Sequence, residues 1–107
     1  MSSIANTPAA PYFAVIFSAL KNDNINEEVY KNMAIEMHDL AQKSQGFLGF
    51  ESAQEGLEIS VSYWDSLDAI KTWSQNGFHQ NAKKFGKEEI YSAYHVRITQ
   101  VVREYKG

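Results

Sequence analysis

The stretch TWSQNGFHQNAKKFG, residues 72 to 86, sets Trp73 six residues before His79, with Gly77 between them. A histidine exchanges a proton near neutral pH, because its unperturbed pKa is about 6.5. A tryptophan offers a flat apolar wall and one N–H donor. Elsewhere Tyr63 and Tyr91 add rings with hydroxyl donors, and Arg97 adds a fixed cation that can hold an anion. A base, an anion partner and aromatic walls together suit a dry cavity in which a small aromatic molecule loses a proton and the anion is stabilised.

Every one of these side chains also has a plain structural use. Trp73 shares a helical face with Leu67 and Ile70, which suffices to bury it. His79, just after a glycine, can bond a neighbouring carbonyl or cap a helix. Tyr91 and Tyr94 suit packing and subunit contact, and His95 and Arg97 share a strand face that suits an interface. His38, beside Asp39, falls on the polar side of a helix. The adjacent pairs Glu27–Glu28 and Glu88–Glu89 cannot share a proton on a helix, since neighbours there do not face each other. Glu27 and Glu28 instead favour a helix start. Lys83 and Lys84 make a small solvated basic spot. The three histidines lie on three different elements without metal-ligand spacing, and chain order gives no Ser-His-acid arrangement.

The elements that must position these groups follow from periodicity. Tyr12 to Leu20, YFAVIFSAL, is apolar on both alternating faces and reads as a strand covered on both sides. Asn24 or Asn26 caps a helix in which Tyr30, Met33, Ala34, Met37, Leu40 and Ala41 form the apolar stripe, and Gly46 supplies a left-handed stop. FLGFESA and LEISVSYW, joined by QEG, form a hairpin. Asp65 or Ser66 caps a second helix that the Asn76-Gly77 pair should end, with a further short helix from Phe78 to Gly86. A last strand runs through YHVRITQVVREY, Tyr94 to Tyr105.

The order is strand, helix, strand, strand, helix, strand: an α+β, ferredoxin-like split βαβ with a four-stranded antiparallel sheet. Two helices cover one face of such a sheet, so the other face needs a second chain. This predicts a homodimer whose sheets pack face to face. Residues 1–11 read as a flexible N-terminal arm and residues 12–107 as a single domain.

Composition narrows the field. The formal charge is −3, from 13 acids and 10 bases, which leaves no basic excess for nucleic acid. There is no cysteine, hence no disulfide, thiolate nucleophile or thiolate metal site. MSSIANTPAAP has no apolar core of a signal peptide, and no apolar run reaches membrane-spanning length. A soluble, cytoplasmic protein with neither membrane nor nucleic-acid partners is expected. The chain has neither GxGxxG nor a phosphate loop.

GFLGFESA, ISVSYWDSLDAIKTW and AKKFGKEEIYSAYHVRITQVVREY together resemble the antibiotic biosynthesis monooxygenase family of dimeric α+β barrels. The resemblance runs from Tyr12 to Tyr105. It implies a homodimer with a ligand cleft between the sheet and the helices of one subunit. It also implies an oxidoreductase activity of one of two kinds: oxidation of phenols to quinones with dioxygen as co-substrate and no metal or flavin, or haem degradation. In the first, Trp73, Tyr63 and Tyr91 would line the substrate, His79 would be the base, and Arg97 or Tyr63 would partner the anion. In the second, the haem enzymes match this chain at Trp73, but their iron-ligating histidine would fall near Lys83 and an early-strand asparagine near Phe17, and neither is present. A binding or sensing dimer that holds a small apolar molecule in the same cleft is the alternative from another class.

Overall fold

A run rich in aromatic and β-branched residues makes β1, Tyr12–Lys21, a strand with a partner on both sides. The computed structural model describes residues 3–85 and 89–107. After β1 come α1 (Glu27–Lys43), β2 (Phe47–Glu55), β3 (Leu57–Trp64), α2 (Leu67–Phe85) and β4 (Tyr91–Val101). The four strands lie in the order β2-β3-β1-β4, with β1 antiparallel to both of its neighbours and β2 antiparallel to β3. This is the expected ferredoxin-like arrangement.

Local chemistry sets the ends. Asn26 caps α1, its side-chain oxygen accepting from the N–H groups of Glu28 (2.8 Å) and Val29 (3.4 Å). Ser66 caps α2 through the N–H of Ala69 (3.0 Å). Gly46 has φ of +89°, and a Cβ there would stand 2.4 Å from Asp65 Oδ1 and 2.6 Å from Ala69 Cβ. Only glycine fits this turn, which locks the end of α1 to the start of α2 by an Asp65 N–H to Gly46 carbonyl bond of 2.9 Å.

The second helix corrects one expectation. Asn76-Gly77 does not stop it; α2 runs on to Phe85. A glycine weakens a helix by about 1 kcal/mol against alanine but does not forbid it. Here Gly77 is buried beside α1, where a Cβ would meet Leu40 at 3.8 Å and Met37 at 3.9 Å. The expected helix end at Gly86 and the Glu88 half of its acidic pair lie outside the described residues. The last strand also differs, starting at Tyr91 rather than Tyr94 and ending at Val101. The Asn22 N–H to Ile90 carbonyl bond (2.8 Å) closes its start, and past Val101 there is no β1 left to pair with.

Residues opposite one another on neighbouring strands share a face, so the register sorts the sheet into two surfaces. The helix side carries Phe13, Val15, Phe17 and Ala19 of β1. Beside them stand Trp64, Ser62, Ser60 and Glu58 of β3, and Gln100, Ile98, Val96 and Tyr94 of β4. The core forms there from Val15, Ala41, Trp64 and Ile70, with Phe13, Phe47, Ala69 and Trp73 packed against them. The other side carries Ile16, Leu20, Leu57, Ile59 and Val61, and no helix covers it; Leu20, Leu57 and Ile59 are all exposed. At one end of that side residues 5–10 lie on the sheet. The Ala5 N–H donates to Glu51 (2.9 Å), the Ala10 N–H to Glu104 (2.9 Å), and the Tyr12 hydroxyl to Glu104 (2.8 Å).

Candidate functional site

Strand β3 is turned the unexpected way. Its apolar set, Leu57, Ile59 and Val61, points away from the helices, and its polar set, Glu58, Ser60 and Ser62, points beneath them. Trp64 explains the choice. It is in phase with the polar set, and it is the largest fully buried side chain, 0% exposed between β3 and α2. Burying its ring obliges the serines and Glu58 to follow it inward. The stripe is hydrogen-bonded throughout. Trp64 Nε1–H donates to Ser62 Oγ (2.9 Å), Ser60 Oγ–H to Glu58 Oε2 (3.1 Å), and the Tyr30 hydroxyl of α1 to Glu58 Oε1.

Trp73 of α2 lies over the Trp64 end, their rings 4.9 Å apart and tilted by 33°. Its indole N–H is buried and, among the described residues, has no hydrogen-bond partner. Burying such a donor unpaired costs about 1–3 kcal/mol, more than a helix position needs to spend on filling space. Trp73 also borders a groove of about 690 Å³ between the last turn of α1 and the first turns of α2, lined by polar groups that include Lys43, Gln45, Asp65, Asp68 and Asn76.

The other end of the stripe is an aromatic cluster. Tyr91 meets Phe17 edge-on at 5.2 Å and Tyr30 edge-on at 6.2 Å, and Phe17 stacks on Tyr94 at 6.0 Å. Burial pushes the hydroxyls of Tyr30 and Tyr91 well above the usual tyrosine range, and the Glu58 charge adds to both shifts. Beyond Tyr94, Val96 and Ile98 continue an apolar strip on the helix side that is open to solvent.

The sheet divides the residues nominated from sequence. Trp73 and Tyr91 are on the helix side, at opposite ends of the stripe. Tyr63 and Arg97 are on the other face, so they do not line a sheet–helix cleft, because one residue of register separates them from Trp64 and from Val96 and Ile98. Tyr63 donates to Glu51 (2.6 Å) and meets Tyr12 edge-on at 5.8 Å, and burial raises its pKa, with the Glu51 bond and charge adding to it. Arg97 is exposed opposite Ile16. His79 is exposed on α2, off the inward stripe of Ile70, Trp73 and Gly77. Glu58, Tyr30 and the two serines were missed. The signal available in the sequence was the phase of Trp64, which ties the polar half of β3 to the core.

Among the described residues no group of histidine, cysteine or carboxylate side chains could hold a metal ion. Among them, too, no helix is long and apolar enough to cross a membrane.

Comparison with known proteins places this geometry. No protein-family model matches the chain. It is 44% identical over 106 residues to the uncharacterized protein YqjZ of Bacillus subtilis, covering 97% of this chain and 91% of that one. Among solved structures it resembles SnoaB, a cofactor-independent oxygenase from Streptomyces nogalater, with a TM-score of 0.70 and 12% identity over 90% of this chain and 97% of the other. It also resembles the heme-degrader MhuD of Mycobacterium tuberculosis, with a TM-score of 0.64 and 19% identity over 88% of this chain and 99% of the other.

Proposed function

Because the chain belongs to the family of Bacillus subtilis YqjZ and has the fold of the antibiotic biosynthesis monooxygenases, we propose that it is a homodimeric, cofactor-independent monooxygenase of a small aromatic or quinol-like compound. The reading takes residues 12–107 as the working domain, residues 1–11 as an arm, and the cytoplasm as its place of action. The observation that carries it is the polar stripe beneath the helices, flanked by the unpartnered indole N–H of Trp73 and by the open apolar strip of β4. Polar groups held in a covered, largely apolar setting interact strongly with a bound molecule, which is how such sites stabilise a developing anion.

In this reaction class the substrate supplies the electrons. A phenol gains one oxygen atom from dioxygen, the second leaves as water, and the ring ends as a quinone. The protein's part is to bind the ring, exclude water and hold the substrate's proton and charge. Trp73 serves as the wall at one end of an elongated site and Tyr91 as the wall at the other. His79, exposed as it is, serves as base only for a substrate that reaches the outer side of α2. Tyr63 and Arg97 are assigned to the dimer face. Haem fits less well. The position that resemblance gives its ligating histidine is occupied by Lys83, and His79 is turned to solvent.

Oxygen uptake by the pure protein with a panel of hydroquinones and naphthols tests the proposal. Uptake with quinone formation in the absence of metal and flavin is expected, and it should fall at least about tenfold in Trp73→Ala if that wall positions the ring. No uptake with any member of the panel, while the compounds still bind, would leave the non-catalytic binding dimer as the better reading.

A further inference from the structure

Glu58 is a carboxylate on the covered face of the sheet, half-buried, with aromatic rings around it. Among the described residues the ion pair at this end joins Lys21 to Glu27, not to Glu58. A charge in such a place is unfavourable unless hydrogen bonds or a ligand compensate it. A valine at this position of β3 would serve the fold better. The carboxylate is nevertheless held in a set orientation. The Tyr30 hydroxyl takes one oxygen and the Ser60 hydroxyl the other. A carboxylate has about four acceptor positions, so each oxygen keeps one to offer. Among the described residues no further side chain of this cluster donates to them: Gln54, opposite on β2, is directed to the Tyr30 hydroxyl, and Tyr91 shares the space, its hydroxyl feeling the Glu58 charge without a bond to it.

The surroundings specify the rest of the ligand. Phe17 joins the Tyr91–Tyr30 pair on one side to Tyr94 on the other, and Tyr94 is 67% exposed at the head of the open apolar strip. A flat ring can lie on that strip as a further member of the stack.

We infer that Glu58, oriented by Tyr30 and Ser60, accepts a hydrogen bond from the hydroxyl of an aromatic ligand and so selects hydroxylated rings over their ethers. This rests on the small-molecule reading above and gives it a specificity residue. It makes no use of His79.

The test uses 1-naphthol and 1-methoxynaphthalene as probes in equilibrium dialysis with the full chain. The wild type should hold 1-naphthol about tenfold or more tightly than the ether, the usual effect of a hydrogen bond to a charged acceptor. Glu58→Gln should remove most of that preference and leave ether binding unchanged. Glu58→Asp keeps the charge but withdraws it by one methylene, so it should fall between the two; it decides the matter if the glutamine variant does not fold. Equal binding of the two probes by the wild type, binding of neither, or equal weakening of both by Glu58→Gln overturns the inference. So does tighter binding of 1-naphthylmethylamine than of 1-naphthol, which would make the site one for cations. Failure here is separable from failure of the oxygenase reading. Oxygen uptake that is insensitive to Glu58 removes the inference alone, and hydroxyl selection without uptake removes only the oxygenase.

Discussion

The two faces of the sheet are built against the usual pattern, and in opposite senses. Beneath the helices, where an apolar layer is the norm, β3 presents Glu58, Ser60 and Ser62. On the side without helices, where polar residues are the norm, the sheet presents Ile16, Leu20, Leu57, Ile59 and Val61. A monomer would be better served by turning β3 over. Together the two departures make sense if a second copy covers the bare face and a ligand uses the covered one. Burial of apolar area by the partner then supplies the stability that the polar stripe withholds.

The largest expected effect lies where the two faces meet. Trp64→Ala should destabilise the fold by about 3–5 kcal/mol in urea unfolding, because Trp64 both fills the core and sets the phase of β3. A loss under 1 kcal/mol would mean that something else orients the strand. Next, Ile59→Asp places a charge on the bare face. It should weaken self-association by about 3 kcal/mol, over a hundredfold, as read by sedimentation equilibrium, and leave the secondary structure intact. Unchanged association would show that this face is not the interface. On the helix side, Trp73→Phe should change stability by less than about 1 kcal/mol, since the lost packing is offset by removing an unpaired donor, yet it should weaken ligand binding.

Smaller effects come from ionisation and from one glycine. Tyr30 and Tyr91 on the helix side and Tyr63 on the bare side all have pKa values raised above 10.0 in the folded chain, chiefly by burial. Above pH 10 the unfolded chain gives up these protons while the folded chain keeps them. Stability should therefore be level below that pH and fall as pH rises through the alkaline range. Tyr30→Phe should reduce the fall, and a denaturation series between neutral pH and strong alkali would show it. Finally, Gly77→Ala should stabilise by about 0.5–1 kcal/mol, because the added methyl meets Leu40 and Met37 at ordinary contact distances within an unbroken helix.

Much of this architecture was legible in residue order. Gly46 marked one helix end, and Asn24 or Asn26 and Asp65 or Ser66 marked two helix starts, by chemistry that acts within a few residues, with Asn26 and Ser66 the ones that cap; the period of two in LEISVSYW marked a strand. What could not be read was long-range. Periodicity says that Leu57, Ile59, Val61 and Tyr63 share a face but not which layer that face meets, and the nominated Tyr63 and Arg97 fell on the far side for that reason. Gly77 misled because its local penalty was visible and the close approach of α1 that offsets it was not. Tyr30 and Glu58, 28 residues apart, become partners only when α1 folds back over β3.

Hydroxyl-radical footprinting of the full chain at two concentrations tests the division of the sheet most directly. At micromolar concentration Leu57 and Ile59 should be protected, and on dilution to the nanomolar range they should become reactive, whereas Tyr94 and Ile98 should label at both. Strong labelling of Leu57 and Ile59 at the higher concentration would contradict a partner-covered face and, with it, the account of why β3 is turned as it is.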